Sequence, residues 1–81
     1  MTRYIGIAFK EHIKHSIFTY DSFAPNVGLA GKQGVNHWVN HKLDCDWKYD
    51  DIAMWCEVLG VDFDGFMDDV NRQRANSKKR N

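Results

Sequence analysis

Apolar residues recur along this chain at intervals of three and four, and glycines stand where that rhythm stops. Ile5, Phe9, Ile13 and Ile17 are each four apart, which puts them on one face of a helix. The alternation over Tyr4 to Phe9 also suits a short strand, which would delay the helix to about Gly6. Thr19 is a good N-cap for a second helix running through Phe23 and Ala24 toward Val27, with Gly28 as its stop. Pro25 inside that segment lacks an N–H and predicts a bend or an early end. A third helix is predicted from about Lys32 to Asn40, its apolar stripe being Val35, Trp38 and Val39. Tyr49, Ile52, Trp55, Cys56 and Leu59 mark a fourth, over about Trp47 to Leu59, closed by Gly60. A fifth starts near Asp62 or Asp64, whose carboxylates cap it, and carries Phe63, Phe66, Met67 and Val70. The expectation is an all-α fold of five short helices.

At 81 residues the chain has room for one small core and no cleft between domains. Residues 1–71 are expected to form the domain and residues 72–81 a basic, flexible tail. Charge is sharply segregated along this zero-net chain: the balance is +3 over residues 1–42, −8 over 43–71 and +5 over 72–81. No apolar run approaches the ~18 residues needed to span a bilayer, and Met1-Thr2-Arg3 leads into no secretory leader. Two cysteines, Cys45 and Cys56, are too few for a disulfide scaffold and fit a reducing cytoplasm.

Thr19-Tyr20-Asp21-Ser22-Phe23-Ala24, then Gly28-Leu29, then Val35-Asn36-His37-Trp38-Val39-Asn40-His41-Lys42 resembles the helix-turn-helix of the lambda-repressor and Cro-like family. The run Asp51 to Asp62, followed by Phe66-Met67, resembles that family's fourth helix and the entry to its fifth. The likeness covers about residues 9–70. It implies a compact five-helix DNA-binding domain whose third helix lies in the major groove. Ala24 is small where the two helices of the motif cross, and Gly28 turns the chain toward the recognition helix. The interval from Gly28 to Trp38 is one residue longer than usual in the family, which shifts an extra residue into the turn around Leu29-Ala30-Gly31.

On that reading Lys32, Gln33, Asn36 and His37 face the bases. Gln33 and Asn36 can each pair bidentately with adenine, and Lys32 can donate to guanine. Thr19, Tyr20, Asn40 and Lys42 are expected on phosphates. The nine carboxylates of residues 43–71 repel phosphate and should face away from a duplex. Phe63, Phe66, Met67 and Val70 are the candidate face for a homodimer, because in the resembling family this region often supports dimerisation. The basic tail would either wrap the DNA backbone or simply solubilise the chain.

Metal and catalytic chemistry find less footing. His37, His41 and Cys45 are spaced by four, as zinc ligands on a helix can be, but there is no Cys-x-x-Cys pair and Cys56 falls in an apolar stripe. No metal or other cofactor is expected. Asp50-Asp51 and Asp68-Asp69 are adjacent carboxylates that point in different directions on a helix, and no Gly-rich phosphate loop or activated nucleophile appears. Neither an enzyme nor a small-molecule substrate is expected. The sequence therefore favours a double-stranded DNA-binding transcriptional regulator of the Cro or repressor kind. The resemblance further suggests a phage or mobile-element origin. The alternative is a non-enzymatic protein-interaction module, an antirepressor or inhibitor, that uses the acidic helices.

Overall fold

A computed structural model describes residues 2–79, and among these the chain is all-helical with no strand. Helix α1 (Tyr4–Lys14) buries Ile5, Ala8, Phe9 and Ile13. Its predicted fourth contact, Ile17, does not belong to it. Ser16 ends the helix by donating from Oγ to the Ile13 carbonyl at 2.7 Å and accepting the Phe18 N–H at 3.0 Å. Ile17 is left 95% exposed in the loop. Ile17→Lys should consequently move stability by no more than ~0.5 kcal/mol, as read from a denaturant titration.

The second helix is shorter than the sequence suggests. Helix α2 (Tyr20–Phe23) opens on a capping box in which Thr19 and Ser22 each accept the other's backbone N–H. Pro25 cannot extend the ladder, so α2 ends at Phe23 and the chain tightens into a 3₁₀ turn over Ala24–Val27. Gly28 (φ 75°) then takes the left-handed position, with Leu29 N–H returning to the Ala24 carbonyl at 2.9 Å. Gly60 ends α4 (Tyr49–Leu59) by the same device, with φ 70° and Val61 N–H on the Cys56 carbonyl.

Helix α3 occupies Lys32–Asn40, as predicted. A second 3₁₀ turn (Asp44–Asp46) leads to α4, and α5 spans Phe63–Lys79. Asp62 caps α5 by accepting the Gly65 N–H at 2.9 Å. There is no break in α5 at the expected boundary between residues 71 and 72. Arg74, expected in the tail, donates to Asp44 at 2.9 Å and to Asn71 at 3.0 Å. Arg80 and Asn81 lie outside the described residues.

Trp55 is the hub of the core. Fully buried, it meets Phe9, Phe23, Trp38 and Trp47 at ring-centroid distances of 4.9–5.5 Å. Phe66 closes the cluster by stacking on Phe9 at 4.2 Å. Such a concentration of rings lets a short chain bury a large apolar area with few residues.

Candidate nucleic-acid interface

The stripe of α3 decides which of its residues are available. Val35 and Val39 are buried, and Trp38 stacks on Trp55 of α4. The helical period then turns Lys32, Gln33, Asn36 and His37 outward, and all four are exposed. Tyr20, Lys32, Gln33 and Asn36 line one depression of about 310 Å³, so residues from α2 and α3 share a surface. The Tyr20 side chain is half-buried there, and its burial raises the phenol above its ordinary titration range.

Other expected contacts already have partners within the chain. The Thr19 hydroxyl belongs to the α2 capping box. Lys42 rests its ammonium over the Trp38 ring, 4.2 Å from the centroid. Asn40 bonds to Asn36, Lys10 and Arg3. All three residues are thus partly engaged within the chain.

Sequence reading missed a carboxylate in this region. Asp21 accepts the Lys32 N–H at 3.2 Å, supplying the cap that Gly31 cannot give α3. It borders a second depression, of about 430 Å³, with Ala30, Gly31, Lys32, Gln33 and Gly34. The Asp21 carboxylate thus places a negative charge at the first turn of α3. Two basic side chains, Lys10 of α1 and Arg3 just before it, were missed as well. Arg3 donates to the Asn40 carbonyl at 3.0 Å and Lys10 to the Asn40 side chain at 3.1 Å, which gathers positive charge at the C-terminal end of α3. No local spacing announces either contact.

The residues expected at a dimer face are divided. Phe66 and Val70 are at most 1% exposed and belong to the core, so neither is available to a second copy. Phe63 and Met67 are half-buried, and Phe63 lies against the exposed Tyr49 at 4.8 Å. The His37 and His41 rings stand 5.6 Å apart. Among the described residues, however, no group of three or more His, Cys, Asp or Glu side chains comes together to hold a metal. Cys45 is exposed. Cys56 is buried, and burial, helped by the Asp62 charge, pushes its thiol up to about 11. No described helix is long and apolar enough to cross a membrane. Compared with known proteins, the chain matches no family model, no curated protein and no solved structure.

Proposed function

We propose that this chain is a sequence-specific, double-stranded DNA-binding regulator of the Cro or repressor type, with α3 entering the major groove. The observation that carries the reading is the common depression formed by Tyr20, Lys32, Gln33 and Asn36, where two helices present donors and acceptors on one exposed surface. Gln33 and Asn36 supply the carboxamide forks that match adenine, and Lys32 a donor for guanine. The Trp38–Trp55 stack supports the orientation, because it ties the inner face of α3 to α4 and turns the outer face away from that acidic helix. Regulation follows from occupying an operator, with no effector site invoked. A second copy would have to meet this one through Phe63 and Met67 without Phe66 or Val70.

Selection from a random duplex pool at moderate salt tests the reading. An enriched motif is expected, and a palindrome within it would place a dimer on two half-sites. Asn36→Ala should lose ~1–3 kcal/mol of affinity and relax preference at one base pair. No enriched motif, with retention vanishing at modest salt, would leave the acidic helices as the functional surface and a protein as the partner.

A further inference from the structure

The exposed carboxamide of Asn36 is held in one orientation by residues behind it. Asn40, one turn later on α3, donates from Nδ2 to Asn36 Oδ1 at 2.8 Å and to the Asn36 carbonyl at 3.1 Å. The Asn40 Oδ1 in turn accepts from Lys10 Nζ, which reaches across from α1, at 3.1 Å. The ends of a carboxamide are alike in shape, but an ammonium only donates. The Asn40 atom facing Lys10 must be oxygen, and the atom facing Asn36 must then be nitrogen. Asn36 is obliged to turn its Oδ1 toward Asn40, which leaves Nδ2 and one Oδ1 lone pair for a ligand. Arg3, on the Asn40 carbonyl at 3.0 Å, pins the same end of α3.

We propose that Lys10 and Asn40 are positioning residues for base reading, with the relay from Lys10 through Asn40 to Asn36 selecting adenine at the base pair Asn36 meets. The inference rests on the DNA-binding reading above. In the fixed orientation Asn36 donates to adenine N7 and accepts from N6 with its spare lone pair. Loss of Lys10 removes the partner of Asn40 Oδ1, so that only the Asn36 carbonyl, 3.1 Å from Nδ2, still opposes inversion of the Asn40 amide and of Asn36 with it. The reversed fork then sets a donor against the N6 amine, which also donates. Part of the sequence preference is thus written on α1, in a side chain that touches no base. This differs from a simple phosphate contact by Lys10, which would weaken all sequences alike and lower the salt slope by about one.

The test compares wild type, Lys10→Met, Asn40→Ala, Asn36→Ala and the Lys10→Met/Asn36→Ala double variant. Each is titrated with duplexes carrying every base pair at the position that Asn36→Ala relaxes, and at a Gln33 position as control. Wild type should prefer adenine there by roughly tenfold or more; Asn40→Ala should reduce that to within about twofold and Lys10→Met by a smaller factor, both leaving the control preference intact. In the Asn36→Ala background Lys10→Met should change no base preference. A uniform loss across all duplexes, or unaltered preference in Lys10→Met, overturns the inference while the DNA reading stands. The relay is also read without DNA, from the side-chain amide NMR signals of Asn40. These should shift and exchange faster in Lys10→Met, and unaltered signals overturn the relay itself. Absence of any motif with wild-type protein overturns the DNA reading and the positioning role together.

Discussion

Gly6→Ala is expected to lower the melting temperature by about 10–20 °C, against the sign that helix propensity gives. Alanine in a helix interior is ordinarily better than glycine by about 1 kcal/mol. At Gly6 the deciding quantity is distance. A Cβ there would stand 2.6 Å from the Val39 carbonyl oxygen, 3.1 Å from its carbon and 3.2 Å from Val39 Cα. These are backbone atoms of α3, so no rotamer change relieves the clash. The seam where α1 meets α3 must open, and with it the packing of Ile5 and Phe9 near Val35 and Val39. Overpacking costs ~1–3 kcal/mol where side chains can yield; against rigid backbone we expect about 3 kcal/mol net. A domain of 81 residues has only about 4–12 kcal/mol in total. Gly34→Ala is the control, because the atom nearest a Cβ there is Leu29 Cβ at 3.3 Å, which the loop before α3 need yield by only a few tenths of an ångström. It should change stability by less than ~1 kcal/mol. Thermal unfolding followed by circular dichroism decides the matter. A Gly6→Ala protein as stable as wild type would mean that α1 and α3 are not in close contact at this point.

That contact shows where sequence reading stops. Features set by near neighbours were legible: the span of α3, the glycine stops at 28 and 60, the shortening at Pro25 and the cap at Asp62. Apart from the start of α3, which Asp21 caps from eleven positions away, each depends on residues within one turn. Ile17 shows the opposite failure, because a four-residue repeat does not reveal that the Ser16 hydroxyl takes over the Ile13 carbonyl. The apolar face of α5 was legible, but its destination was not. A stripe of Phe66 and Val70 reads identically whether it packs on Phe9 or on a second copy, and only the fold assigns it to the core. On α3, the outward set Lys32, Gln33, Asn36 and His37 followed from the period alone. The groups that modify that set, Asp21, Lys10 and Arg3, reach it across 11 to 37 positions of chain, where no local spacing carries the information.

Asp44→Ala should cost about 3 kcal/mol at neutral pH, chiefly because helix α1 loses its cap. Arg3 at the start of α1 makes no side-chain cap. Asp44, from the far side of α3 in sequence, supplies one: its Oδ1 accepts the Ile5 N–H at 2.8 Å, and Oδ2 accepts from the Thr2 hydroxyl at 2.7 Å and from Arg74 at 2.9 Å. The partners are unequal. Arg74 is 33% exposed, so its ion pair contributes under about 1 kcal/mol, and Arg74→Ala should cost no more than that. The Asp44 side chain is only 10% exposed, and a charge-assisted bond to a buried N–H is worth ~1.5–3 kcal/mol. Burial by itself would raise the Asp44 carboxyl. The donors at Ile5, Thr2 and Arg74, with the Arg74 charge, outweigh it and hold the group below the ordinary carboxylate range. A folded-state value below the unfolded value of about 3.9 gives stability that is complete above that pH and is lost as pH falls through the folded value. Asp44→Asn keeps an acceptor for Ile5 but loses the charge, and should cost about 1–2 kcal/mol at pH 7. The gap between wild type and Asp44→Asn should stay constant from pH 7 to about 5 and shrink steadily below about 4. Denaturant titrations at pH 7, 5, 4 and 2.5 measure it. A gap that does not change with pH, or an Asp44→Ala protein that melts within a few degrees of wild type, would show that α1 is capped without this carboxylate.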